Sequence, residues 1–310
     1  MIGPAIPLNA RGSCLHIVYR IMNAIAKQKV GPKKMPLLVT SAAGANGNGY
    51  GTLLAFDLNG RPLGAFSGDS RIADPRGLAV DRDEGLLFLN SGTDRVLALD
   101  PDGRIVRDSG PIEGLNPGGG NFGPDGRYYV GARSARTIIA FSIGLGATSE
   151  FLPAGIVPFP RGFAFGRDGR LFLASGIGPN GEGDDTIVAF APSGPIQASR
   201  LVTDPELSPL DLAIAPNGNI VVSSEHPFGT SDAVTTVREY DALDGRLVRV
   251  FSPSRLVEFR KPRGLRFAPD GCLFCVAQDE VIAFDFASGE CLGAIVRLPR
   301  LNGQALAFFP

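Results

Sequence analysis

Three arginines, Arg76, Arg161 and Arg263, each follow a proline (Pro75, Pro160, Pro262) and precede a glycine (Gly77, Gly162, Gly264). A guanidinium is permanently charged and carries five donors in a rigid plane, so several of them brought together would hold a carboxylate or phosphate by charge-assisted hydrogen bonds. The same groups could instead pair with nearby acids or carbonyls and simply close a channel. Asp94, Asp211, Glu225 and Asp279 are the acids expected on the same side, and Asp211 stands where the arginine-bearing units carry glycine. We therefore expect Asp211 to be satisfied by one of the three arginines.

Other chemistry is sparse. The chain has two histidines, and after residue 16 only His226 remains, in Glu225-His226-Pro227, so a histidine-dependent catalyst would have to use it. Cys272-x-x-Cys275 has the spacing of half a zinc site, but it falls in an expected strand, where residues three apart face opposite sides; packed, reduced thiols are expected. Asn46-Gly47-Asn48-Gly49 and Gly181-Glu182-Gly183-Asp184-Asp185 offer oxygen ligands without the alternating acids of a dedicated Ca²⁺ loop, and read as turns. There is no Gly-x-Ser-x-Gly elbow, and no Walker or Rossmann glycine pattern is set between an expected strand and helix.

The elements that would position these residues come from a repeat. A proline is followed eight residues later by Asp or Asn and then Gly, in Pro117…Asp125-Gly126, Pro160…Asp168-Gly169, Pro209…Asn217-Gly218 and Pro262…Asp270-Gly271; Pro75…Asp83-Glu84-Gly85 carries one inserted residue. Each Gly is followed by a short apolar run such as Leu87-Phe88-Leu89 or Leu171-Phe172-Leu173, and then by a third run such as Val281-Ile282-Ala283-Phe284-Asp285 with Gly289 beyond it. Short apolar runs separated by such turns are buried strands, and the Gly supplies the positive φ of a hairpin. Four antiparallel strands repeated every 40 to 53 residues without helices form propeller blades.

Five units are complete and the sixth is split. Gly303 to Pro310 matches an opening strand, while Leu37-Leu38-Val39-Thr40-Ser41 and Leu53-Leu54-Ala55-Phe56-Asp57 match the second and third. The expected fold is thus all-β: residues 35–310 form a six-bladed β-propeller of four-stranded antiparallel blades, closed by pairing of its N- and C-terminal strands, which leaves no open edge at the seam. The residue after each repeat proline is then Arg76, Gly118, Arg161, Leu210, Arg263 and, by alignment, Gln304, so arginines mark alternate blades and would converge on the channel mouth. The loops between second and third strands are long in three blades, Ala42 to Gly51, Gly176 to Asp185 and Glu225 to Thr236, and would shape the walls.

The unit Pro75-Arg76-Gly77-Leu78-Ala79-Val80-Asp81…Gly85…Leu87-Phe88-Leu89…Asp94-Arg95-Val96…Asp100 resembles an NHL repeat, and looser versions of it cover residues 35–310. That resemblance implies a propeller whose relatives include binding modules, lyases and lactonases. Its gluconolactonase-like members hold a divalent ion with Glu, Asn and Asp at the channel mouth. Here the positions that would match the Glu hold Arg, Gly, Leu or Gln; Asn302-Gly303, Asn90 and Asp211 are the only residues that match other parts of such a site. Lyases with NHL-like blades use histidine near the inner strands, and the Pro-x-Gly units contain none.

The formal net charge is −1, yet residues 1–56 hold no acid and six basic residues, Arg11, Arg20, Lys27, Lys29, Lys33 and Lys34, so the remainder is mildly acidic. A broad groove for nucleic acid is not expected from such a body. Residues 1–34 form a basic extension in which Ser13 could cap a short amphipathic helix to about Gln28; an upstream start before Met35, a helix resting on the ring and a weak targeting segment all fit it. It is too short and too interrupted for a membrane span. Four cysteines and no glycosylation sequon lean toward a cytoplasmic setting, with export left open by Ala24-Ile25-Ala26.

The sequence therefore supports a monomeric binding propeller with an arginine-lined mouth for an anionic small molecule or an acidic peptide segment, without a cofactor. Arg76, Arg161, Arg263, Gln304, Asn90, Asp211, Glu225 and His226 are its candidate site residues. The alternative is a hydrolase of the lactonase kind, in which Ca²⁺ or Zn²⁺ would polarise a carbonyl and activate water.

Overall fold

Each repeat folds as the sequence pattern requires, into four consecutive antiparallel strands joined by tight turns. The computed structural model describes residues 37–43, 49–57, 59–177, 181, 183–192, 199–253, 257–268 and 270–309. The basic extension with its expected helix, the Asn46-to-Asn48 stretch and Glu182 lie outside the described residues.

The inner strands of blades 1 to 5 are Gly77–Asp81, Pro117–Phe122, Pro160–Phe165, Pro209–Ile214 and Leu265–Phe267, each followed by its second, third and outer strands. Blade 6 takes Gly303–Phe308 as inner strand and Leu37–Ser41, Leu53–Phe56 and Pro62–Ala65 as the other three. Among the described residues there is no helix, and none long and apolar enough to cross a membrane. The architecture is a six-bladed β-propeller closed by its two ends.

At the seam, Leu37 pairs with Phe308, Leu38 with Ala307, Val39 with Leu306 and Thr40 with Ala305, before a bulge brings Ser41 opposite Gly303. Thr40 Oγ1 also accepts from the Ala305 amide at 2.8 Å. The two ends of the chain therefore make a single ladder.

The turns leading from inner to second strands follow from Asp-Gly chemistry. Asp125 Oδ1 accepts from the Arg127 amide at 3.1 Å and Gly126 turns at φ 76°; Asp168, Arg170 and Gly169 repeat the arrangement. An Asx side chain that mimics a turn, followed by a residue able to adopt positive φ, reverses the strand in two residues.

Because blades pack face to face, second and third strands are covered on both sides, which explains why they read as unbroken apolar runs. Leu78, Leu87 and Leu97 of blade 1 pack against Leu38, Leu53 and Ala305 of blade 6 in one of the clusters between blades. Cys272 joins Val39 and Leu306 of blade 6, whereas Cys275 joins Val221 and Val237 of blade 4, so the two sulfurs do face opposite sides. Cys275 and Cys291 are free thiols. Cys272 is disulfide-bonded, which corrects the expectation of wholly reduced thiols.

Candidate functional site: an arginine-lined cavity at the channel mouth

Four of the six inner strands open on Pro-x-Gly, which leaves little side-chain volume around the axis, and the space they enclose opens as a cavity of about 840 Å³. Its described lining includes Arg76, Arg161 and Arg263, so the alternate-blade arginines share one site, with Gln304 beside them. Arg133 and Arg266 line it as well, and two acids, Asp74 and Asp211.

Three of the arginines are matched by acids. Arg76 Nη2 lies 3.1 Å from Asp74 Oδ2, with both side chains about a third exposed (32% and 34%). Arg263 Nη1 donates to Glu225 Oε2 at 2.8 Å, and the Glu225 side chain is 4% exposed. Arg266 Nη1 lies 3.2 Å from Asp211 Oδ2, which also accepts from the Leu265 amide at 3.0 Å. Asp211 is thus satisfied by Arg266 and not by Arg76, Arg161 or Arg263. Burial raises its carboxyl pKa, and Arg266 and the amide bonds pull it back.

Arg266 also closes the channel. Its Nη2 donates across the axis to the Leu78 carbonyl of blade 1 at 3.0 Å, while Nη1 reaches Asp211 of blade 4 from blade 5. At the equivalent place the other inner strands carry Ala79, Asn121, Ala164, Ala213 and Ala307, side chains too short to reach that far. One guanidinium fits because the neighbours are small.

Arg161 has a different environment. Nη2 donates to the Ile177 carbonyl at 2.7 Å, Nε is buried without a hydrogen-bond partner, and no ion pair reaches it among the described residues. Its Cζ sits 4.0 Å from the centroid of the Phe228 ring and 5.4 Å from that of Phe159. Burial first, then the charge of Arg263, brings its pKa down to about 10, so the group is still a cation at neutral pH. Gly176 makes room for it: a Cβ there would lie 2.8 Å from Arg161 Cζ.

Asn90 is fully buried behind the mouth. Its amide nitrogen donates to the Gly118 carbonyl at 3.0 Å and its oxygen accepts from the Tyr128 hydroxyl at 2.9 Å, so it braces blades 1 and 2. His226 Nδ1 lies 3.1 Å from Ser208 Oγ, which donates to Asp185 Oδ2 at 2.6 Å. Ser208 has one proton, so with that proton on Asp185 the imidazole must be the donor. The order is Asp–Ser–His with a serine only 1% exposed, the wrong order and too buried for a nucleophile activated by histidine.

A divalent ion does not fit this donor set. Asn90 Oδ1 already accepts from the buried Tyr128 hydroxyl, and Asp211 is held by a guanidinium. Among the described residues no cluster of three His, Cys, Asp or Glu side chains could hold a metal.

Arg133, Arg266 and Phe228 escaped the reading of the sequence. Arg266 had a signal, a charge within an inner strand where the repeat otherwise has alanine or asparagine. Arg133, just after the second strand of blade 2, and Phe228, in a loop, had none.

No protein-family model and no curated protein sequence matches the chain. Solved structures do. The structure of a nidogen/laminin complex contains a chain that superposes with TM-score 0.69 at 14% identity, covering 89% of this chain and 98% of that one. A gluconolactonase from Xanthomonas campestris gives TM-score 0.60 at 18% identity, covering 85% of each chain. A streptogramin B lyase gives 0.55 at 17%, covering 73% of this chain and 70% of that one. At such identities the likeness is one of fold, and the fold is the six-bladed β-propeller that NHL-like and gluconolactonase-like structures share.

Proposed function

We propose that this propeller binds an anionic ligand, a small molecule or an acidic peptide segment, in the arginine-lined cup at its channel mouth. The observation that carries the reading is Arg161: a cation in a mostly apolar setting with a buried, unaccepted Nε and no carboxylate partner among the described residues. A buried donor without an acceptor costs about 1–3 kcal/mol, more when charged, and a ligand carboxylate or phosphate would recover it. Phe159, Phe228, Ile177 and Leu210 supply apolar walls, and the low dielectric between them strengthens any ion pair formed there. Arg266 blocks the channel below, which makes the site a cup and favours a group that enters from one side. The nidogen/laminin likeness is compatible with the peptide option, since that propeller was seen in a protein complex.

The test is thermal unfolding in citrate and in inorganic phosphate against chloride at matched ionic strength. Stabilisation by about 2–5 °C is expected, lost in Arg161→Gln and indifferent to chelator. No shift with either anion would overturn the reading; a shift abolished by chelator would instead favour the metal-dependent hydrolase.

A further inference from the structure

The charge left over in the cavity says more about the ligand than the number of arginines does. Arg76, Arg263 and Arg266 are each matched one to one by Asp74, Glu225 and Asp211. Of the five lining arginines, Arg133 and Arg161 are the two with no ion pair among the described residues. Both are held from behind by neutral acceptors. Arg133 Nε donates to the Asn116 carbonyl at 3.1 Å and its Nη2 to Asn116 Oδ1 at 2.6 Å; Arg161 Nη2 donates to the Ile177 carbonyl. A carbonyl orients a guanidinium without cancelling its charge, so two positive charges remain.

These two arginines also line the same cavity. Arg133 follows the second strand of blade 2, Tyr128–Ala132, and Arg161 lies in the inner strand of blade 3, Pro160–Phe165. The Arg133 side chain and the Arg161 main chain flank the start of the blade 2 inner strand, Gly118-Gly119. A Cβ on Gly118 would stand 3.6 Å from Arg133 Cδ and 3.5 Å from the Arg161 carbonyl, and one on Gly119 3.3 Å from that carbonyl. No side chain rises from this floor. Asp185, the other acid whose charge is felt by Arg161, makes no ion pair with it and is tied to Ser208.

We infer that the ligand is a dianion, a dicarboxylate or a phosphate monoester, whose charges are met by Arg133 and Arg161 within this cavity. This rests on the anion-binding reading and sharpens it. A monoanion would leave one of the two guanidiniums without an ion pair, whereas a dianion pairs both. The three arginines that the repeat singles out are not equal partners: only Arg161 among them meets the ligand's charge, and Arg133 is its partner.

Isothermal titration at about pH 7.5 and constant ionic strength, with succinate, phenyl phosphate and butyrate as probes, tests this. At least one dianion is expected to bind about tenfold or more tightly than butyrate, roughly 1.4 kcal/mol. Arg133→Gln and Arg161→Gln should each reduce the dianion to the butyrate level, with unliganded melting temperatures close to wild type. Arg133→Lys, which keeps the charge and loses the planar fork, should retain part of the preference. Equal affinity for butyrate and both dianions, or dianion binding unchanged in Arg133→Gln, would overturn the inference while leaving an anion site in place. Absence of binding by all three probes would remove the anion-binding reading itself. Which dianion wins separates the carboxylate from the phosphate source.

Discussion

Asp211 in blade 4 and Arg266 in blade 5 form an ion pair, Oδ2 to Nη1 at 3.2 Å, with side chains 15% and 23% exposed, and the same guanidinium reaches the Leu78 carbonyl of blade 1. Three of the six inner strands are thereby joined at the axis by one side chain. Burial raises the Asp211 pKa and Arg266 opposes it, so the pair is balanced between desolvation and attraction.

Removing one member should upset that balance. Arg266→Gln leaves a buried carboxylate without its cation and is expected to cost about 3–5 kcal/mol, read as a shift in the urea midpoint. The Asp211→Asn/Arg266→Gln double variant should recover much of it, because no charge is left buried. The sign with pH follows from linkage: a carboxyl whose folded pKa lies above its unfolded value favours the folded state when protonated, and that contribution is lost as pH rises through the folded pKa. Loss of Arg266 raises the folded pKa further. The deficit of Arg266→Gln should therefore shrink as pH falls from neutrality, and a deficit that grows on acidification would contradict the role given to Asp211.

Two glycines separate stability from binding. At Gly162 an added Cβ would stand 2.6 Å from Asp211 Cα, a backbone atom that cannot rotate away; at Gly176 it would stand 2.8 Å from Arg161 Cζ, the end of a flexible chain. Gly162→Ala should therefore lower stability by about 1–3 kcal/mol through overpacking at the axis. Gly176→Ala should cost little stability but push Arg161 off the Phe228 ring and weaken anion binding. Circular dichroism melts and titration of the same two proteins check both halves.

The contrast also shows which features a sequence can disclose. Blade number and strand order follow from a local pattern, Pro-x-Gly then Asp-Gly then an apolar run, because each depends on residues within one hairpin; the seam, which pairs Leu37 with Phe308, follows because the last unit has only an opening strand and the first lacks one. The arginine after the repeat proline is legible for the same reason. Its partner is not: Asp74 is two residues from Arg76, but Glu225 and Arg263 belong to adjacent blades 38 residues apart. Nor does the pattern reveal that Arg161 is left without an acid, since this depends on how Phe228 and the Ile177 carbonyl are placed by two loops. Arg266 was within reach, as the one charge in a row of alanines and an asparagine.

The lowered pKa of Arg161 makes a prediction about affinity. With its pKa near 10, dianion binding should be level from about pH 7.5, where the ligand is fully ionised, to about pH 9 and fall as pH rises through the value where the guanidinium loses its proton. Binding above that value should take up a proton, visible as buffer-dependent heats. Burial is the main cause of the shift, so Phe228→Ala, which opens one face of Arg161 to water, should move the fall to higher pH. A pH profile identical in wild type and Arg161→Gln would show that another group controls affinity.

Closure of the ring should be separable from its interior. The inner strand of blade 6, Gly303–Phe308, covers Leu38 and Val39, both fully buried, and itself buries Leu306 completely. Ending the chain at Asn302 uncovers these side chains, at about 1.5–3 kcal/mol for each large apolar residue, and leaves Leu37–Ser41 as an exposed, flat, apolar edge. The shortened protein is expected to form soluble aggregates or to lose its cooperative melt. Because the lost ladder belongs to one strand, a peptide spanning residues 301–310 added in trans should restore the melt and the elution volume of the full chain. Leu306→Asp in that peptide should not, since it would bury a carboxylate in the cluster of Val39, Phe274 and Val281 between blades 5 and 6. Rescue by both peptides would mean that backbone pairing alone seals the ring; rescue by the native peptide only would assign the seal to side-chain packing.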